Sequence, residues 1–380
     1  MVESVGLFCT IESNSAGDAS MTAEIPTRPL AERLDRFYAE LEANDLVPLW
    51  QVSSELMRTA PVPKTIPYLW RWSMLMRLAE LAGELITIER GGDRRVLSLA
   101  NPGLAGAPFA SSTLWGAVQY LGPRESAPGH RHTPSAIRFV MEGEGVWTTV
   151  NGDACDMRAG DLILTPSWCW HDHNNTSDQP MIWFDGLDLP TVNALDAIFF
   201  EPYQPDELQP VRGHGISERI WGGRAIVPVG PDPAANGYAS PLLVYRRADT
   251  DAALDALLAE RGGPLATIEY THPVNGGPAL PTMACEMHRL VPGRRSRPYR
   301  KVGSSVYVVF RGSGSSIIDG QRFDWSRGDM FVVPSWATLE HEANEVADLF
   351  AISDRPILDA LHLFRDEVLD EPQADRARLL

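Results

Sequence analysis

The stretch GEGVWTTVNGDACDMRAGDLILTPSW, residues 143–168, sets two short runs on either side of an Asn-Gly pair; a Gly-Asp pair follows, then an apolar run ending in PSW. Asn-Gly between such runs is the strongest short-range hairpin signal, because the favoured two-residue turn needs positive φ at both central positions. The pattern returns at 312–336 as GSGSSIIDGQRFDWSRGDMFVVPSW, with Asp-Gly in the turn and Gly-Asp at the same spacing of eight residues. The chain therefore carries an internal duplication of an antiparallel β unit. Around both copies, from about 94 to 190 and from about 280 to 352, short β-branched and aromatic runs alternate with Gly, Pro, Asn and Asp. That is the signature of a sandwich or barrel, and the expected class is mainly β.

Helical spacing is confined to the flanks. Residues 29–45, PLAERLDRFYAELEAND, read as an amphipathic helix behind Pro29, and residues 66–90 as a second helix passing into a strand. The expected organisation is a disordered leader at 1–25, an N-terminal helical region at 26–90, a first β domain at 91–200 and, at 201–275, a long Pro-, Gly- and Asp-rich linker with some structure of its own. A second β domain follows at 276–354, then a C-terminal helix and tail at 355–380.

Thirty-three basic against fifty acidic residues give a net charge of −17, the wrong sign for a nucleic-acid partner. An anionic ligand must then be captured locally, by a few arginines in a pocket. The four cysteines, Cys9, Cys155, Cys169 and Cys285, form no CxxC pair, which fits a reducing compartment better than a disulfide framework. No window holds the roughly 18 apolar residues of a membrane span, and the first 25 residues carry no secretory pattern, so a cytoplasmic protein is expected.

Ahead of the first copy, PGHRHTPSAIRFVMEGEG (128–145) places His130 and His132 two apart; behind it, PSWCWHDH places His171 and His173 two apart. Residues i and i+2 of a strand share a face, so two such pairs on adjacent barrel strands send four imidazoles into one cavity. The second copy is an internal control. Its segment 292–314 has no histidine, and Leu339 stands in the place of His171, with His341 opposite His173. The barrel does not need these imidazoles to fold, which assigns them to a metal site.

The chain resembles a bicupin of the gentisate 1,2-dioxygenase family, which includes salicylate and 1-hydroxy-2-naphthoate 1,2-dioxygenases. The resemblance runs from about residue 30 to 370 and is carried by VPLW (47–50), GGDRRVLSLANPGL (91–104), TLWGAVQYLGPRE (113–125), HRH, IRFVMEGEGVWT (137–148), GDLILTP (160–166) and DGLDLP (185–190). It implies two double-stranded β-helix (jelly-roll) barrels with N-terminal helices, the first catalytic and the second without metal ligands, in a homotetramer. Many cupins place a Glu shortly after HxH, but Ala136 and Ile137 occupy that region, which implies a three-histidine centre of His130, His132 and His171. Ligand type leaves zinc and manganese open, while the resemblance implies Fe(II).

The resemblance also assigns Arg94 and Arg138 to the substrate carboxylate, His173 to proton transfer, and Asp185 to orienting His173 or a metal ligand. Trp115 and Gln119, with Ala117 between them on one strand face, would wall the aromatic pocket. The implied reaction inserts both atoms of O2 between the carboxyl- and hydroxyl-bearing carbons of a 2-hydroxyaryl carboxylate, gentisate giving maleylpyruvate. This chain reads PSAIRF at 134–139 where plain gentisate enzymes resemble QNAFRF, and it also differs at Ser167, Trp170 and Asp172. These departures make salicylate and 1-hydroxy-2-naphthoate alternative substrates. Rival readings are a metal-dependent isomerase or hydrolase and a non-catalytic cupin that binds a small molecule.

Overall fold

A computed structural model describes residues 29–86, 95–204, 207–223, 226–229 and 237–374. The chain divides into two compact units, Met1–Thr59 and Ala60–Leu380. In the first, helices α1 (Leu30–Ala43) and α2 (Leu49–Leu56) bury no side chain; Phe37 stacks on Trp50, whose indole N–H donates to the Tyr38 hydroxyl at 3.2 Å.

The second unit opens with β1 (Tyr68–Trp70) and α3 (Trp72–Leu85). There follow β2 (Val96–Ser98), β3 (Trp115–Leu121), β4 (Ser126–His132), β5 (Ala136–Glu142), β6 (Val146–Val150), β7 (Asp153–Met157), β8 (Leu162–Thr165), β9 (His171–Asn175) and β10 (Met181–Leu187). Helix α4 (Leu189–Ala194), β11 (Phe200–Pro202), β12 (Gly213–His214) and α5 (Ile216–Trp221) lead to the second half. That half comprises β13 (Val244–Tyr245), α6 (Arg247–Arg261), β14 (Leu265–Glu269), β15 (Ala284–Leu290), β16 (Tyr299–Lys301), β17 (Ser305–Arg311), β18 (Ser313–Ile318) and β19 (Gln321–Ser326). It ends with β20 (Met330–Val333), β21 (Leu339–Ala343), β22 (Ala347–Ser353), α7 (Arg355–Ala360) and β23 (Asp366–Val368).

Each half is a pair of facing sheets. The first has the orders β13-β8-β5-β10-β3-β2 and β11-β4-β9-β6-β7-β12; the second has β1-β20-β17-β22-β15-β14 and β19-β18-β21-β16-β23. The two hairpins are as expected: Asn151 and Gly152 have φ of 47° and 85°, Asp319 and Gly320 of 50° and 79°.

The duplication reaches further than its strands. β1 pairs with β20 of the opposite half, and β13 pairs with β8, so each half lends its leading strand to the other. The Gly-Asp pairs explain why. Asp161 accepts from the backbone N–H of Arg247 at 2.9 Å and from Arg246, capping α6; Asp329 accepts from the N–H of Trp72 at 2.8 Å and from Arg71, capping α3. Both carboxylates are buried and meet the orphan donors of a helix start.

Between the halves one continuous core joins Ile137, Phe139 and Phe184 to Val306, Phe350 and Ile352. Phe139 lies flat on Phe350 at 4.1 Å, and a side chain on Gly186 would collide with Ile352. Strand β5 is thus buried on both faces, its alternate residues Arg138 and Val140 turned away from that core. Segment 201–275, expected as a linker with some structure of its own, carries short strands that extend the sheets of both barrels. Two expectations are corrected. Within 66–90 an unexpected strand precedes the helix, because β1 pairs with the distant β20, while the strand expected after the helix falls at 87–90, outside the described residues. The C-terminal helix ends at Ala360, and β23 follows, claimed by β16.

Candidate metal centre and substrate cavity

His130 and His132 share one face of β4, and an irregularity in the β4–β9 ladder between Ala127 and His130 re-aims that end of the strand. His130 lies opposite His171 in the ladder. The His171 ring meets the other two edge to face, with centroids 4.3 Å apart for His130 and His171 and 4.8 Å for His132 and His171. Among the described residues this is the one group of three or more His, Cys, Asp or Glu side chains able to hold a metal, with its ligand atoms within 4.8 Å of one another.

Each Nδ1 meets a backbone carbonyl: Pro128 for His130 at 3.2 Å, Pro134 for His132 at 2.7 Å, Cys169 for His171 at 3.0 Å. A proton donated to those carbonyls leaves Nε2 as the lone-pair donor, the usual arrangement of metal-bound imidazoles. The Nε2 of His171 is buried without a hydrogen-bond partner, which suits a nitrogen that ligates a metal. Burial, reinforced by His130, Arg138 and His132, pushes the His171 pKa well below its ordinary value, so the ligand is neutral. Three neutral nitrogens fit iron, zinc, copper or nickel.

The centre opens into a cavity of about 250 Å3. Trp115 and Gln119 from β3 and Arg138 from β5 line it, as does His173. Ala117, fully buried between Trp115 and Gln119, is not one of the wall residues. Arg94 lies outside the described residues. Arg138 is 4% exposed and donates to Thr165. Burial lowers its pKa, opposed by Asp185, whose carboxylate lies 3.7 Å from Nε.

That contact corrects the expected partner of Asp185. The carboxylate faces Arg138 in register and accepts from the Trp183 indole at 2.9 Å; the Nδ1 of His173 instead meets the Thr148 hydroxyl at 2.9 Å. Burial raises the Asp185 pKa to about 6 against the pull of Arg138, while burial and Arg138 hold His173 well below its ordinary value. Asp185 is therefore the counter-charge of an arginine.

The rest of the wall escaped the sequence reading. Leu187 ends β10, and Leu189, Ile198, Phe199 and Phe200 follow it from α4 to β11. The only signal was an apolar run, AIFFEP (197–202), where polar residues are usual for a connection.

At the matching place in the second barrel the described residues leave little space. Tyr299 pairs with Leu339 as His130 pairs with His171, so Tyr299 and Lys301 occupy the places of His130 and His132. The hydroxyls of Tyr299 and Tyr307 meet at 2.9 Å, and the space left is about 10 Å3, room for about one water.

A cupin domain family matches residues 117–187. The chain is 48% identical over 344 residues to a gentisate 1,2-dioxygenase of a Streptomyces species, covering 87% of this chain and 94% of that enzyme. A 5-aminosalicylate 1,2-dioxygenase of a Comamonas species is 36% identical over 350 residues, covering 89% and 91%. Salicylate 1,2-dioxygenase of Pseudoaminobacter salicylatoxidans, solved as an adduct with gentisate, superposes with a TM-score of 0.83 at 42% identity, over 92% of this chain and 97% of that one.

Proposed function

The chain belongs to the gentisate 1,2-dioxygenase family of cupins and is a ring-cleaving dioxygenase of gentisate-like substrates; from that premise we propose that it converts gentisate to maleylpyruvate with ferrous iron held by His130, His132 and His171. The observation that carries the metal is the convergence of three imidazoles whose other nitrogens are already held by carbonyls. Ferrous iron bound there supplies the redox chemistry that lets dioxygen react with an aromatic ring, and three protein ligands leave positions open for small molecules.

The protein's own groups divide the remaining work. Arg138 binds the substrate carboxylate through charge-assisted hydrogen bonds and fixes the ring in the cavity. Asp185 and Thr165 hold that guanidinium in place. His173, neutral and oriented by Thr148, accepts a proton from the ring hydroxyl and returns it later. Trp115 and Gln119 bound the ring plane, and Arg94 adds a second cation to the carboxylate site.

The apolar wall from Leu187 to Phe200 supports a second reading, in which rings without a 5-hydroxyl, salicylate or 1-hydroxy-2-naphthoate, are preferred. The enzyme is proposed to be a cytoplasmic homotetramer, a state that light scattering measures; among the described residues no helix is long and apolar enough to cross a membrane.

Oxygen uptake by Fe(II)-loaded, anaerobically prepared protein offered the three acids in parallel tests the proposal. One O2 consumed per gentisate with a new ring-opened chromophore is the expected result. Faster turnover of salicylate or the naphthoate moves the assignment to that ring, and no uptake at verified iron occupancy overturns it.

A further inference from the structure

The two barrels carry the same outer clip. Strand β11 pairs with β4 so that Glu201 faces Arg131 and Phe200 faces His132; β23 pairs with β16 so that Glu367 faces Arg300 and Asp366 faces Lys301. Arg131 grips Glu201 through Nε and Nη2 at 2.9 and 2.6 Å, its guanidinium 4.4 Å from the ring centres of both Trp168 and Trp170. Arg300 grips Glu367 at 2.7 Å and lies 4.6 Å from Trp336. The backbone is matched as well, with Thr133 N–H bonding to the Phe199 carbonyl and Val302 N–H to that of Arg365. A salt bridge stacked on indole is kept in the barrel that lost its metal ligands, so the clip itself serves the barrel.

What the strap presents on its other side differs. Beside the metal centre the strap residue opposite His132 is Phe200, 46% exposed, whereas Phe199 packs on Trp168; in the second barrel the place of Phe200 is taken by Asp366. A polar residue is what an exposed edge strand ordinarily carries, and a half-exposed phenylalanine at the wall of a cavity offers an apolar surface to what enters it. The Phe200 ring lies 5.4 Å from that of His130 at 29°, and it lines the cavity.

We propose that Phe200 is a specificity-determining residue, its ring forming the apolar face on which the part of the substrate farthest from the carboxylate packs, and that Arg131 is the positioning residue that holds it there through Glu201. This rests on the assignment of the cavity to an aromatic hydroxycarboxylate. The strap discriminates by ring size: a one-ring acid reaches it only at the edge, whereas the second ring of 1-hydroxy-2-naphthoate lies against it.

The test measures dissociation constants of salicylate and 1-hydroxy-2-naphthoate for the Fe(II)-loaded protein kept anaerobic, so that binding is read without turnover. Phe200→Ala is expected to weaken the naphthoate about tenfold relative to salicylate, as loss of a stacked aromatic contact does, at unchanged iron content. Arg131→Gln is expected to move the same ratio in the same direction, while Arg300→Gln, which breaks the matching clip on the other barrel, leaves it within twofold of wild type. An unchanged ratio in Phe200→Ala overturns the proposal, including the case in which that variant changes the oligomeric state and so shows that a second copy covers the strap. Equal shifts in Arg131→Gln and Arg300→Gln overturn the positioning role of Arg131. Oxygen uptake by the wild type with the same two acids is scored separately: a ratio shift without uptake supports the place of Phe200 and overturns the dioxygenase assignment alone.

Discussion

At the scale of single residues the site is organised by buried charge. Arg138 and Asp185, each under 5% exposed, share a low-dielectric pocket. Removing one partner strands the other, so Asp185→Ala is expected to cost about 3 kcal/mol or more in urea unfolding. Asp185→Asn costs less, because an amide oxygen still accepts from the Trp183 indole. His171→Ala is expected to abolish tight iron binding, seen by metal analysis, while far-UV circular dichroism stays native, since Leu339 fills the matching place in a folded barrel. The pair HxH at 130–132 was legible because a strand's two-residue period alone puts both imidazoles on one face. The partner of Asp185 was not, because it depends on which strand lies beside β10.

Among the elements, the Gly-Asp pairs do more than mark a repeat. Each stands in the connection between two strands of facing sheets and caps a helix of the other half. Asp161→Ala and Asp329→Ala each remove a buried cap and an arginine contact, an expected loss of about 2 kcal/mol apiece. Denaturant midpoints check this, with the Asn variants milder. The eight-residue spacing showed the repeat in the sequence. The exchange of leading strands was invisible, since the three residues of β1 have no pattern that names a partner so distant.

Over the whole molecule, two copies of one barrel diverged in what fills them. The first keeps a cavity; in the second, Tyr299 and Tyr307 fill the matching place. Burial alone would raise the pKa of Glu286, yet Lys301, the His288 hydrogen bond and Arg355 bring it to about 2. A carboxylate depressed from its ordinary 4.5 stabilises the fold above that pH and loses this contribution as pH falls toward 2. Glu286→Gln should therefore unfold earlier than wild type at pH 6, with the gap in urea midpoint closing between pH 4.5 and 2.5. Iron is expected at one ion per chain, and a chelator should lower the melting temperature of the wild type but not of His171→Ala, because only a filled site adds binding free energy to the folded state.

Local rules acting within a few residues were enough to read the β class, the duplication, the hairpin turns and both histidine pairs from the sequence: turn chemistry needs only neighbours, and strand parity needs only spacing. The resemblance of a series of motifs added the three-histidine centre and its reaction. Tertiary structure alone decided that Asp185 belongs to Arg138, that segment 201–275 completes both barrels, and that Phe199 and Phe200 wall the cavity. Each of these depends on strand order and register, which long-range packing selects from among many pairings that the local pattern permits equally.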